Sequence, residues 1–229
     1  MNKPTIRIDI VSDVVCPWCY IGKRRLEKAL DQLSDRYTFQ LEYHPYELNP
    51  DMPPQGANQK EYLSRKFGGN ARYEELTGHV TQVAAGEGLD FQYGKQLTSP
   101  NTRNAHRLIS LASQEGKQLE VVEGLFKAYF TDGVDLTKNE NLVQVATQAG
   151  MDEENTEQFL ASQEGTLEVA AAEKEMQKLG ITGVPFYIIN QTYGVSGAHP
   201  SDTFVQIIEK IQEPVVSEGD ACDVDGSNC

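Results

Sequence analysis

Two cysteines separated by two residues, Cys16 and Cys19, are the side chains whose type and spacing most directly imply chemistry. They stand in Ser12-Asp13-Val14-Val15-Cys16-Pro17-Trp18-Cys19-Tyr20. A thiolate attacks a disulfide sulfur and a thiol does not, so a reactive pair needs a setting that favours the anion at one sulfur. The flanking sequence supplies one. Alternating Ile6, Ile8 and Ile10 predict a strand before the pair, and Trp18, Ile21, Leu26, Leu30 and Leu33 predict a helix after it. Cys16 then falls at the helix N-cap, and Pro17 at the first helical position, where its missing N–H costs nothing. The helix dipole and free backbone N–H groups there favour a thiolate at Cys16. Cys19, one turn further in, is placed to attack a mixed disulfide formed at Cys16.

Two other assignments compete for the pair. A C-x-x-C can be half of a zinc site, but the other cysteines, Cys222 and Cys229, lack the spacing of a second half. Pro17 and Trp18 would also make a stiff, bulky knuckle, so no metal is expected. Two inert core cysteines are the remaining alternative.

The elements that must position the pair read as follows. Residues 5–11 predict a central strand, buried on both faces except at Arg7 and Asp9. Residues 17–34 predict a helix whose Lys23, Arg24 and Arg25 form a basic cluster, read as a solvated face in preference to a group that raises thiolate content at Cys16. Phe39, Leu41 and Tyr43 alternate in a second strand, and a right-handed crossover makes it parallel to the first. Residues 44–58 read as a proline-rich loop. Helical patterns follow near 59–67, 70–86, 102–114, 117–130, 139–149, 153–162 and 165–179, with glycine or proline in the gaps. Asn101 is the expected cap of the helix containing His106. Strands return at 185–189 and 193–196, joined by a turn at Asn190-Gln191-Thr192, and Ser201 or Asp202 is placed to cap a last helix.

Chain length and charge bound the function. With 229 residues and a net charge of −14, the chain can bury a sizeable core and is a poor partner for nucleic acid or an anionic membrane. No apolar run approaches a membrane span, and no secretory signal pattern precedes the first strand. The expectation is a cytoplasmic protein whose C-x-x-C is catalytic rather than a structural staple.

Cys-Pro-Trp-Cys-Tyr-Ile-Gly after an acidic strand end resembles the DsbA-like thioredoxin superfamily, and within it the cytoplasmic FrnE-like branch. That branch is related to 2-hydroxychromene-2-carboxylate isomerases and kappa-class glutathione transferases. The resemblance covers nearly all of residues 5–212. It implies an α/β thioredoxin fold (β-α-β … β-β-α) interrupted by a large all-helical insertion. The thioredoxin-like domain is expected at 1–45 and 180–213, the insertion at 46–179, and an acidic tail at 214–229.

The same resemblance assigns roles. In Gly183-Val184-Pro185-Phe186 it implies a cis Pro185 beside the C-x-x-C, with the backbone of Val184 offered to substrate. It makes Trp18 and Tyr20 residues that shield or border the thiols, and Asp13 either a group handling the Cys19 proton or a loop cap. His106 becomes either a substrate-site wall or a capping and core residue, and His199 a candidate for the same face. The chain departs from the family at Ile10, where relatives carry an acid six residues before the first cysteine. The redox potential therefore does not transfer; the family spans about −270 to −120 mV. Some FrnE-like proteins resemble this chain in carrying a second C-terminal cysteine pair, which makes Cys222 and Cys229 candidates for a redox relay.

These expectations add up to a thiol–disulfide oxidoreductase, with isomerase activity included, acting on protein or low-molecular-weight disulfides. It needs no dissociable cofactor, takes glutathione at most as a co-substrate, and relies on a redox partner. Two rivals stay open. One is a glutathione-dependent isomerase or transferase of the 2-hydroxychromene-2-carboxylate isomerase type. The other is a redox-sensing or chaperone-like peptide-binding module.

Overall fold

A computed structural model describes residues 3–212. The alternation of Ile6, Ile8 and Ile10 forms β1 (Thr5–Ser12), with those side chains fully buried. Helix α1 (Pro17–Leu33) follows, and the chain returns in β2 (Thr38–Pro45), parallel to β1 with Thr5 opposite Thr38 and Ser12 opposite Pro45. This ladder carries His44 and Pro45 into the strand, two residues beyond the expected end. Asp9 corrects a second expectation: it is 5% exposed, because Arg7 and His44 both bind its carboxylate. A buried carboxylate persists when paired in this way.

The helical stretch opens on β3 (Ala57–Asn58) and continues through α2 (Gln59–Phe67), α3 (Asn70–Gly86) and β4 (Thr98–Ser99). Next come α4 (Arg103–Gln114), α5 (Gln118–Lys127), α6 (Asn139–Gln148), α7 (Glu153–Ala161) and α8 (Thr166–Lys178). The β3–β4 ribbon was not expected, since two-residue strands leave no period to read; it is antiparallel. Asn58 caps α2 by accepting the Glu61 N–H at 3.0 Å. Helix α5 stops before the expected residue 130 and passes into a π-helical turn, Ala128–Asp132, which Gly133 closes at φ 72°. Such turns re-aim side chains within a helix. Asn101 accepts the Arg103 N–H, but Thr102 occupies the cap position.

The chain then completes the sheet with β5 (Phe186–Ile189) and β6 (Tyr193–Ser196), in the order β2-β1-β5-β6. β5 runs antiparallel to β1 and β6 antiparallel to β5. Asn190 and Gln191, with φ of 49° and 58°, form the left-handed centre of the hairpin turn. The last helix, α9 (Ser201–Gln212), includes Ser201 and Asp202 in its first turn; the Pro200 carbonyl accepts from Thr203 and Phe204. Among the described residues no helix is long and apolar enough to cross a membrane.

One apolar core runs from the sheet into the helical stretch. The basic run on α1 fastens this junction, which corrects its reading as a solvated face. Lys23 is 7% exposed and binds Glu123 of α5 at 2.6 Å; Arg24 binds the same carboxylate. Arg25 binds Glu87 and the Ala198 carbonyl, both at 2.7 Å. Helix α1 is thereby tied to the elements on both sides of it. Cys222 and Cys229 lie outside the described residues, as does the rest of the expected tail.

Candidate active site

The strand-to-helix turn does what its sequence requires. Cys16 is the N-cap of α1 with extended backbone, Pro17 begins the helix, and no side chain caps it. Cys16 N–H bonds to the Asp13 carbonyl and Cys19 N–H to the Cys16 carbonyl, each at 3.0 Å. Both cysteines are free thiols, 5% and 3% exposed. The Val184–Pro185 bond is cis. The Cys16 thiol donates toward the Val184 carbonyl oxygen, 3.7 Å away.

The two sulfurs differ in access. Cys16 lines an open cavity of about 410 Å³; Cys19 does not. Burial pushes the Cys19 thiol well up, and the neighbouring Cys16 sulfur pushes it further. The Ser12 hydroxyl and the Asp13 backbone N–H offset part of this. Ser12 is a site residue that the sequence did not single out; its place at the last position of β1, just before the loop, was the available signal.

Pro17, Trp18, Val15 and Val184 form the cavity wall beside Cys16. The helical stretch supplies the opposite wall, including Leu63 and Lys66 of α2, Leu76 and Val80 of α3, and Tyr93. Tyr129 and Phe130 join them from the π-helical turn. A continuous α-helix through residue 130, as the periodicity suggested, would have aimed these rings differently. None of these distal residues carries a sequence signal of its own.

Three expected site residues lie elsewhere. Tyr20 does not border the cavity. It is 2% exposed, stacked between Phe126 and Phe91, and donates its hydroxyl to Glu123 at 2.8 Å. His106 does not reach the cavity either. It is buried beneath the loop, with Nε2 3.4 Å from Asp13 Oδ1. Asp13 is fully buried and accepts the Leu48 N–H at 2.8 Å through its other oxygen. The Asp13–His106 contact is at ion-pair distance but lacks hydrogen-bond geometry, and neither facing atom has another partner. Burial pushes the His106 imidazole down; Asp13, then Glu173 and Glu47, outweigh it, and the net shift is upward. His199 packs edge-on against Phe204, away from the cavity lining.

Among the described residues, Asp9, Glu42 and His44 place three potential metal-ligand atoms within 4.8 Å of one another. The Arg7 guanidinium already bridges the two carboxylates at 2.8 and 2.7 Å. A cation there would compete with a fixed positive charge.

Comparison with known proteins gives the family. Residues 7–209 match the family described as DSBA-like thioredoxin domain. The chain belongs to that family. A probable DsbA oxidoreductase from Streptomyces coelicolor is similar over 96% of this chain and 97% of its own, at 32% identity and a TM-score of 0.85. The protein YwbO of Bacillus subtilis (strain 168) is 25% identical over 210 residues, 91% of this chain and 98% of that protein. The cytosolic disulfide reductase DsbM from Pseudomonas aeruginosa, in a structure with GSH, shares the fold at 14% identity. Its TM-score is 0.61, covering 90% of this chain and 98% of that one. As a DsbA-like protein the chain has the thioredoxin fold, and at the level of the family it belongs among thiol–disulfide oxidoreductases and isomerases.

Proposed function

We propose that this protein is a thiol–disulfide oxidoreductase of the FrnE-like branch, with Cys16 as nucleophile and Cys19 as resolving thiol. The observation that carries this reading is the asymmetry of the pair: one sulfur at a helix N-cap on a cavity wall, the other buried behind it with its proton held. The Cys16 thiolate attacks a substrate disulfide, and one substrate sulfur leaves as a thiolate. While Cys16 is anionic its charge disfavours a second thiolate at Cys19. Once Cys16 is in a mixed disulfide that charge is gone, and Cys19 loses its proton more readily. Cys19 then attacks Cys16 and expels the second substrate thiolate. Two electrons pass from the dithiol to the substrate.

The disulfide itself is the redox group, so no resident cofactor enters the scheme; glutathione serves at most as a co-substrate. Protein disulfides or low-molecular-weight disulfides are the substrates, a separate redox partner resets the pair, and Cys222 and Cys229 relay electrons to it. The cytoplasm is the proposed compartment, in line with the name given to DsbM.

The test is the redox equilibrium of Cys16 and Cys19 against glutathione in a Cys222→Ser/Cys229→Ser background. A reversible intramolecular disulfide, lost in Cys16→Ser, is expected. Stable glutathione binding with no such disulfide would overturn the reading in favour of a glutathione-dependent isomerase or transferase.

A further inference from the structure

The cavity beside Cys16 has a character that the exchange chemistry alone does not require. Its volume, about 410 Å³, lies in the range of small-molecule sites. Its walls are mainly apolar and heavily aromatic, with Trp18, Phe67, Tyr93, Tyr129 and Phe130 among them, while Asn49, Thr77, Gln96 and Ser99 add neutral polar groups. Among the described residues no carboxylate side chain lines this space. The charged side chain that does line it is Lys66.

Lys66 is an exposed residue whose ammonium has two contacts at the cavity mouth. Its ammonium donates to Asn49 Oδ1 at 2.8 Å and lies 5.7 Å from the centre of the Tyr62 ring. Tyr62 donates to the same Asn49 oxygen. Among the described residues no carboxylate pairs with Lys66. A protein of net charge −14 thus presents an apolar, aromatic chamber with one positioned ammonium next to its nucleophilic sulfur. An apolar body is stabilised there by burial, rings by packing against rings, and a carboxylate by the ammonium.

Resting on the dithiol reading above, we infer that the preferred substrate is a small organic disulfide whose aromatic or apolar body carries a carboxylate. The Cys16 thiolate attacks the sulfur nearer the cavity, the substrate S–S bond breaks, and the outer half leaves as a thiolate that takes a proton from water. The inner half stays in the chamber, bonded to Cys16, with its carboxylate at Lys66. Cys19 gives up its proton to the solvent and attacks Cys16 as a thiolate, and the inner thiolate departs. The substrate gains two electrons and the protein becomes the Cys16–Cys19 disulfide, which an external dithiol reduces.

The test uses the full chain, reduced and freed of reductant, in single turnover with three small disulfides. These are dithiobis(nitrobenzoate), which is aromatic and anionic; dithiodipyridine, aromatic and neutral; and bis(hydroxyethyl) disulfide, polar and neutral. Each rate is divided by that of free dithiothreitol with the same compound. Insulin reports on macromolecular disulfides. The expected order is dithiobis(nitrobenzoate), then dithiodipyridine, then bis(hydroxyethyl) disulfide. In Lys66→Met the anionic-to-neutral aromatic ratio should fall by about fivefold, as for one charge pair at a partly open site. In Leu76→Trp, which fills the chamber from α3, the ratio of aromatic-disulfide to insulin reduction should fall. The inference is overturned if bis(hydroxyethyl) disulfide reacts as fast as the aromatic compounds, or if Lys66→Met leaves the anionic-to-neutral ratio unchanged. It is also overturned if Leu76→Trp slows insulin as much as the small disulfides, since the chamber then receives a polypeptide. Titration of the Cys16–Cys19 disulfide in each variant separates these outcomes from failure of the dithiol reading itself.

Discussion

The Cys16 thiol and the Val184 carbonyl oxygen face each other at 3.7 Å, although they stand 168 positions apart in the chain. One is the first residue of a helix boundary and the other precedes a cis proline. A substrate sulfur bound to Cys16 therefore sits against the backbone of Val184, while Cys19 waits behind. Replacing Cys19 with serine should leave the first attack intact and remove the second. Cys19→Ser, incubated with a disulfide substrate, is expected to accumulate a covalent mixed disulfide at Cys16, visible as an intact-mass increase that dithiothreitol reverses. An adduct elsewhere, or none, would contradict the assigned order of attack.

Gly22 lets α1 approach the strand that follows Pro185. A Cβ at that position would press on the Tyr187 hydroxyl and stand 3.4 Å from Pro185 Cγ. Gly22→Ala, although favourable for a helix by propensity, should therefore destabilise the protein by about 1–3 kcal/mol, the usual cost of overpacking. Urea unfolding monitored at Trp18 measures it. A stabilised Gly22→Ala would show that helix and strand separate easily.

Glu123 joins α5 to α1 by accepting from Lys23, Arg24 and Tyr20. Burial pushes its carboxyl up, but the hydrogen bonds from Arg24 and Lys23 outweigh that and bring it down to about 2. Its folded value lies below its unfolded one, near 4.5. The stabilisation is therefore present above pH 4.5 and is lost as the pH falls toward 2. Glu123→Gln should lower stability at neutral pH by about 1–3 kcal/mol, between the exposed and buried extremes for ion pairs. It should also flatten the decline in urea midpoint on the acid side.

His106 acts in the opposite direction. Its folded value is raised above 6.5 because the Asp13 carboxylate, with Glu173 and Glu47, outweighs the effect of burial. Its contribution is fully present below pH 6.5 and disappears as the pH rises through the folded value. His106→Asn keeps a hydrogen-bond donor near Asp13 but no charge, so the alkaline decline of the urea midpoint should flatten while the acid side keeps its slope. An unchanged alkaline limb would mean that His106 is neutral when folded.

Much of the fold was legible because periodicity is a local property. The strands of the sheet, the helices and their glycine breaks follow from spacing within each segment. Arg107 shows the limit of such reading. It looks like a surface residue of α4, yet it is 2% exposed, and its guanidinium donates to the carbonyls of Phe159, Ser162 and Glu164. Those carbonyls lie more than fifty residues away, and nothing near Arg107 in the chain announces them. Lys23, Arg24 and Glu123 were equally unreadable as a set, since a charge run looks the same whether it meets water or a distant carboxylate.

By itself the sequence determined the pair of sulfurs and their order. Cys16 must cap the helix because Pro17 can start one and the preceding isoleucines cannot belong to it. It also determined that Cys19 lies one turn further in. Tertiary structure alone decided what surrounds them. Tyr129, Phe130, Leu76 and Lys66 line the chamber at Cys16 only because the helical stretch folds back over the end of α1. Tyr20 left the site, and His106 went beneath the loop instead of beside it, for the same reason. A nucleophile is set by its own turn of backbone, whereas a cavity is set by whichever distant surfaces close upon it, and those depend on packing that no local window contains.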